Sequence, residues 1–207
     1  MRWMKKFSES LDRFVGVVIK NEVMGDSEDL KTKSSGDKKA RWMKGAMKRL
    51  DELVDEETRV NVMTSCSHVF PKTRLKPLIS KYKETGSIDA VLNLMHKDRS
   101  YGGLSYYEYP KRERNIIYVT KIPFNPKKYD QTSDKNEKKY HYCHCGLVKA
   151  SLKAPDVNIS PTFCYCGAGW YKTLWEGILG KRVQIEVLQS VIGGDNCCQF
   201  AIHLPLS

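Results

Sequence analysis

The spacing of apolar residues changes near residue 97, and this change limits the fold more than any other feature of the sequence. Before it, apolar residues recur at steps of three and four, which is typical of amphipathic helices. After it, apolar and polar residues alternate, as in half-buried strands. Helices followed by an antiparallel sheet predict the α+β class. We expect a helical, bundle-like region at residues 1–99 and an α+β domain with one packed helix at residues 100–207.

The helical region divides into five predicted helices. The first covers residues 5–19, with an apolar stripe of Phe7, Leu11, Phe14, Val15 and Val18. A linker at residues 22–37 separates it from a second helix, which begins near Lys38. Asp55 is the predicted N-cap of a third helix, and two shorter helices follow at 74–84 and 88–97, the last capped by Ser87.

The second region is predicted to contain two strand pairs and a helix. Strands at 104–109 and 115–120 would pair through a turn at 110–114. A terminal hairpin would join 183–187 to 198–202 through the Gly-Gly-Asp-Asn turn at 193–196. A helix at 168–179, ended by Gly180, lies between the pairs. The polar stretch 126–139 is expected to be an exposed or mobile loop.

The net charge of +11 does not by itself predict a nucleic-acid partner. Basic and acidic residues are interleaved along the chain, and residues 141–207 carry 5 Lys and Arg against 4 Asp and Glu. Phosphate binding needs cations collected on one face, so a mixed, solvated surface explains the charge better.

Apolar runs in this sequence are short. None approaches the ~20 residues needed to cross a bilayer. Phe14 to Ile19 is too short for the apolar core of a signal peptide. We therefore expect a cytoplasmic protein with no membrane partner, in which the seven cysteines are thiols or metal ligands rather than disulfides.

An aromatic-Cys-x-Cys-Gly unit occurs twice, at residues 142–146 and 163–167. The following glycine is expected to allow a bend that turns both sulfurs of a unit toward one point. Together the units supply the four thiolates of a tetrahedral structural zinc, and thiolates also suit an iron–sulfur cluster. The alternative is that these thiols are buried as small hydrophobic residues. We predict a metal site, with zinc as the metal, on Cys143, Cys145, Cys164 and Cys166.

The terminal hairpin resembles the end of the 4-vinyl-reductase domain family. Gly194, Asp195, Cys198 and Phe200 match its closing pattern, whereas Ser190 stands where that pattern has its first cysteine. In metal-binding members another cysteine precedes this position by about 26 residues, which corresponds to Cys164. The resemblance covers residues 100–207 and adds Cys198 to the candidate ligands. A mixed site of Cys164, Cys198 and members of the Cys143/Cys145 pair is therefore an alternative to the four-cysteine site.

The family likeness implies an α+β pocket for a small apolar or aromatic ligand, with the metal bracing its edge. We expect a small-molecule-binding or sensing protein with a cysteine-ligated, structural zinc. The candidate pocket residues are Trp170, Trp175, Glu186 and Ser190. Any signal would pass to a separate partner or through a homodimer, for which the helix at 5–19 is a candidate interface.

A more distant likeness, to the aminothiazoline-carboxylate hydrolases, rests on a similar acidic-Cys-x-Phe hairpin. It gives the alternative function, a metal- or thiol-dependent hydrolase with Glu186 as its base. Because four thiolates favour a closed metal site over an open catalytic one, we expect binding rather than catalysis and assign no catalytic residue.

Overall fold

A computed structural model describes residues 2–97 and 108–205. Their helices and strands follow one another in this order: α1 Arg2–Met24, α2 Gly36–Leu53, α3 Glu56–Ser65, α4 Lys72–Thr85, α5 Ile88–Lys97, β1 Lys111–Glu113, β2 Ile116–Thr120, α6 Pro126–Gln131, α7 Lys135–Tyr142, α8 Tyr165–Leu179, β3 Gln184–Gln189 and β4 Gln199–His203. Helices precede a sheet that is antiparallel throughout, so the predicted α+β class is confirmed.

The four strands of the described residues form one sheet in the order β1-β2-β4-β3. Ile202 of the central strand β4 pairs with Ile117 on one side and with Ile185 on the other. These side chains lie on the face of the sheet that α8 covers, and they join the hydrophobic core. The predicted terminal hairpin is confirmed, with a bulge between Val187 and Gln189.

Three of the predicted helix boundaries are confirmed by their capping interactions. The Asp55 carboxylate accepts a hydrogen bond from the Thr58 backbone N–H at 2.9 Å, and Ser87 Oγ accepts one from Ala90 N at 3.2 Å. Gly180 ends α8 in the left-handed conformation, at φ +66°, which favours glycine.

Helix α1 is longer than predicted and is interrupted at Gly16, where φ is +79°. Phe7 and Leu11 before the interruption are fully buried, as the stripe predicted. Val18 after it is 75% exposed. The changed backbone at Gly16 thus turns Val18, the last residue of the predicted stripe, toward solvent, whereas Val23 further along α1 is fully buried.

None of the helices in the described parts of the chain is both long and apolar enough to cross a membrane. The proposed homodimer interface on the first helix stays a prediction; its exposed apolar residues are Val17 and Val18.

Two predictions between residues 104 and 139 need correction. The predicted turn at 110–114 is wrong, because Lys111–Glu113 forms β1 and the chain reverses at Arg114, at φ +53°. Most of the strand predicted at 104–109 lies outside the described residues. The loop predicted at 126–139 contains α6 and α7 instead, whose N-terminal N–H groups are capped by Asn125 and Asp134. α6 is largely exposed, whereas α7 is half-buried and ends at the buried Tyr142, whose ring packs against Tyr129.

Helix α8 lies between the sheet and the helical region, and two of its glycines face other helices. A Cβ on Gly169 would lie 2.2 Å from the backbone oxygen of Thr64 in α3. A Cβ on Gly177 would lie 2.7 Å from Leu75 Cδ2 in α4. The predicted regions 1–99 and 100–207 thus meet along α8, and one hydrophobic cluster includes residues from both.

We expect Gly169→Ala to destabilise the fold by about 1–3 kcal/mol, because the new methyl group meets backbone that must shift. The matched control is Gly146→Ala, where a Cβ would have no neighbour within 4 Å. Urea denaturation followed by circular dichroism gives both midpoints. Equal midpoints for the two variants would contradict the close approach of α3 and α8.

Candidate metal centre

The first cysteine unit follows the end of α7 and is tied to the sheet by its aromatic residue. The Cys143 backbone N–H donates to Lys139 O at 2.9 Å, which ends the helix. The Tyr142 hydroxyl donates to Lys121 O and accepts from the Cys198 backbone N–H at 3.2 Å. The unit is thereby held where β2 ends and β4 begins.

The second unit leads into a helix, and its two thiols diverge. Cys164 ends a short 3-10 turn and Cys166 lies in the first turn of α8. Cys164 Sγ lies 2.9 Å from Ser190 Oγ, whereas Cys166 Sγ accepts a hydrogen bond from Trp3 Nε1 at 3.1 Å. Residues two apart on a helix do not face each other, so these sulfurs are not turned toward one point.

The glycines after the cysteines do not have the role expected for them. Neither Gly146 nor Gly167 has a positive φ. A Cβ on Gly146 would be in open space, and one on Gly167 would make only ordinary contacts, such as 3.5 Å to Lys121 Nζ. A residue with a side chain could adopt the same backbone conformation at either position, so neither glycine is needed for a bend.

Cysteines from three chain segments nevertheless act on one another electrostatically. Burial raises the pKa of Cys164, and the nearby thiols of Cys198, Cys143 and Cys145 raise it further. The pKa of Cys143 is raised mainly by burial, to about 12, with further contributions from Cys145 and Cys198. Each of these thiols therefore favours its neutral form in the absence of a cation.

Backbone N–H groups near the sulfurs oppose this effect of burial on the pKa. The backbone N–H of Cys145 favours the thiolate of Cys143, and those of Leu147 and Val148 favour the thiolate of Cys145. The backbone N–H of Val191 does the same for Cys198. Donors aimed at sulfur are the environment that metal-bound thiolates have.

Sequence reasoning missed two residues of this site, Trp3 and Lys121. Trp3 lies 163 positions from Cys166, stacks on Phe7 and packs against Phe163, so only the tertiary fold brings it there. Lys121 follows β2, and its backbone N–H donates to Cys198 O at 2.9 Å. The pairing of β2 with β4 was not predicted, so no sequence signal connected Lys121 with a cysteine.

The structure places the four predicted pocket residues in different surroundings. Trp175 is 1% exposed and belongs to the core, and Trp170 packs against Phe70 with ring centroids 4.8 Å apart. Ser190 is buried beside Cys164. Glu186 is exposed on β3, with its carboxylate 3.3 Å from His203 Nε2.

Glu186 and His203 line a cleft of about 1020 Å³ along the edge strand β3. Charged residues of α3, α8 and the segment before β3 also line it: Glu56, Glu57, Lys172 and Arg182. Tyr165, which separates Cys164 from Cys166 in the sequence, is near enough to two carboxylates of the cleft for them to act on it. Burial raises the pKa of its phenol, and the carboxylates of Glu56 and Glu186 add to the shift.

The cysteines do not form a ready-made ligand set. Within residues 2–97 and 108–205, no three or more Cys, His, Asp or Glu side chains come together as a metal site. Cys197 Sγ donates to Gln189 Oε1 at 2.8 Å, and burial, followed by the neighbouring Cys198, raises the pKa of Cys197. His144, which follows Cys143, has its Nε2 at 2.8 Å from Ile122 O.

Comparison with known protein families gives a match of residues 131–206 to a family described as "Family of unknown function (DUF6144)". The matched stretch contains both cysteine units and the terminal hairpin, but neither Trp3 nor Lys121. No curated protein and no solved structure matches the chain.

We expect the buried thiols of the metal-free protein to alkylate slowly. With the pKa of Cys143 raised from 9.0 to about 12, its thiolate fraction at pH 8 falls by about 10³-fold. For Cys166, raised to about 11, the fall is about 10²-fold. Iodoacetamide labelling of chelator-treated protein, read by peptide mass spectrometry against the guanidinium-unfolded chain, measures both rates.

The half-exposed Cys197 is the internal control for this labelling and should react faster than Cys143. Equal labelling rates of Cys143 in the folded and unfolded protein would contradict the burial described here.

Because a raised pKa favours the neutral thiol, the metal-free fold should lose stability as the pH rises from about 9 toward 12.

Proposed function

We propose that the C-terminal half of this chain is a binding module in which cysteine thiolates hold a zinc ion as a structural brace beside a small-molecule cleft. The observation that carries the proposal is that thiols from three chain segments act on one another electrostatically, at the place where the Tyr142 hydroxyl joins the first cysteine unit to Cys198. Buried sulfur surrounded by donors suits a thiolate, and a buried group of thiolates requires a cation.

The mixed ligand set has more support than the four cysteines of the two units. The charges that act on Cys164 come from Cys198, Cys143 and Cys145, whereas Cys166 faces Trp3. We therefore assign Cys143, Cys145, Cys164 and Cys198 as ligands. Each would release its proton on binding, so affinity should weaken as the pH falls. Four thiolates leave no open position, which agrees with a structural role.

The brace would hold Cys164 in place, and with it the neighbouring Tyr165. Burial, followed by the carboxylates of Glu56 and Glu186 in the cleft lining, raises the pKa of the Tyr165 phenol. The expected aromatic lining is not available there, because Trp175 is in the core. The cleft is lined by carboxylates, a guanidinium and an ammonium group, so we propose a polar, charged ligand rather than an apolar one.

Binding has more support than the hydrolase alternative. A nucleophilic cysteine needs a large thiolate fraction, whereas burial raises the pKa of all four proposed ligands. The Glu186–His203 pair lies in the cleft, where it can bind a charged group of a ligand without turnover.

Metal analysis of protein purified without chelator tests the zinc assignment. We expect about one zinc ion per wild-type chain and loss of the metal in Cys143→Ser and Cys164→Ser, because three thiolates hold zinc more weakly than four. Iron and acid-labile sulfide, measured on the same samples, would identify an iron–sulfur cluster instead.

The matched control is Cys197→Ser. Cys197 precedes Cys198 in the chain, but its thiol contacts Gln189 and is not a proposed ligand. This variant should keep its zinc. If a ligand variant fails to fold, removal of zinc from the wild type with a chelator and its restoration, followed by thermal melting, replaces that variant. Wild-type protein without metal, or equal loss from Cys197→Ser, would contradict the proposal.

A thermal-shift screen of small carboxylates and amines tests the cleft. A compound that stabilises the wild type should bind about tenfold more weakly to Arg182→Gln or Glu186→Gln, since each change removes one charged contact. Glu113→Gln, on exposed β1, is the control and should bind as the wild type does. Equal binding by all variants would place the ligand elsewhere.

A further inference from the structure

One part of the surface gathers lysines around an exposed aromatic ring. Phe124 is 54% exposed, and the ammonium group of Lys149 lies 5.4 Å from the centroid of its ring. The same ammonium group lies 4.9 Å from the ring centroid of Tyr140, and that of Lys153 lies 4.3 Å from it. His144 packs edge-on against Phe124, with ring centroids 5.5 Å apart. We call these five residues the Phe124 surface.

Backbone hydrogen bonds hold the Phe124 surface in place. The Phe124 N–H donates to Tyr142 O at 3.1 Å, which fixes the segment before α6 to the end of α7. The Lys149 N–H donates to Cys145 O at 3.0 Å, at the start of the short 3-10 helix that carries both lysines. The exposed ring and the ammonium groups are therefore presented together by hydrogen-bonded backbone.

The chain around the Phe124 surface is basic. Residues 121–153 contain eight lysines against three Asp and Glu residues. One of these carboxylates, Glu137, pairs with Lys153 at 3.0 Å. Among the residues that the structure describes, Lys149 forms no ion pair with a carboxylate, and its ammonium group contacts aromatic rings instead. Phosphate binding needs cations collected on one face, and the Phe124 surface meets this condition.

We propose that the Phe124 surface binds a single-stranded nucleic acid, with a base stacked on the Phe124 ring and phosphates held by Lys149 and Lys153. Aromatic rings beside ammonium groups hold single strands in proteins, because each base has a face that stacks and each linkage carries a negative charge. A double strand offers phosphates but keeps its bases stacked on one another. An acidic peptide would pair with the lysines but supplies no base to the ring. None of the five side chains is a proposed zinc ligand.

Binding of the full chain to a fluorescent oligothymidylate of about 15 nucleotides, followed by anisotropy at several salt concentrations, tests the proposal. We expect Phe124→Leu to weaken binding about 5- to 100-fold with an unchanged salt dependence, because it removes stacking but no charge. Lys149→Gln should weaken binding about 3- to 10-fold. It should also reduce the slope of log affinity against log salt by about 0.7, because one phosphate contact is lost.

Two matched controls change exposed side chains outside the Phe124 surface. Val69→Ser removes an apolar side chain that is 65% exposed, and Lys48→Gln removes a lysine of α2 that pairs with Glu52. Both variants should bind the oligonucleotide within about twofold of the wild type. A duplex of the same length should bind the wild type about tenfold more weakly than the single strand, because its bases are not free to stack.

Wild-type protein that does not bind the oligonucleotide would overturn the proposal. Equal binding by Phe124→Leu and the wild type would also overturn it, as would equal binding of duplex and single strand, since charge would then be the only attraction. Equally strong competition by polyglutamate would assign the surface to an acidic protein partner instead. Circular dichroism checks the folding of each variant, and Phe124→Met replaces Phe124→Leu if that variant does not fold.

Discussion

The close approach of α8 to α3 is the constraint on which the rest of the structure depends. Gly169 allows this approach because any side chain there would meet the backbone of Thr64. The contact fixes the first turn of α8, which carries Cys166 and follows Cys164. The opposite side of α8 covers the sheet, where Tyr171 packs against Phe200. A change in the distance between the helices would therefore move the second cysteine unit relative to Cys198.

The cysteine site shows two opposing electrostatic effects at one place. Burial makes the neutral thiol the favoured form, whereas backbone N–H groups and Lys121 favour the thiolate. In the metal-free protein burial is the larger effect, since the pKa of Cys143 is raised to about 12. A metal ion would reverse the balance, because it adds charge where the donors already point. The arrangement suits a group of thiols that is neutral when empty and anionic when loaded.

Much of the fold could be predicted from local sequence signals, and much of the site could not. Caps such as Asp55 and Ser87, and the alternation around Ile185, act over a few residues and are visible in the sequence. The helices in 126–139 were not predicted because their sequences show little apolar periodicity. Their N-caps, Asn125 and Asp134, are the local signals that mark them. The divergence of Cys164 and Cys166 depends on where α8 begins. The position of Lys121 beside Cys198 depends on the pairing of β2 with β4, which local sequence patterns do not determine.

The contact between Trp3 and Cys166 has a consequence for how the chain is made. Trp3 is synthesised 163 residues before its sulfur partner. Until Phe163 and Cys166 have been made, the Trp3 indole lacks its contacts with both side chains. Contacts so distant in sequence slow folding and prolong the exposure of apolar surface. The Trp3 indole therefore reaches its final surroundings only after Cys166 has been synthesised.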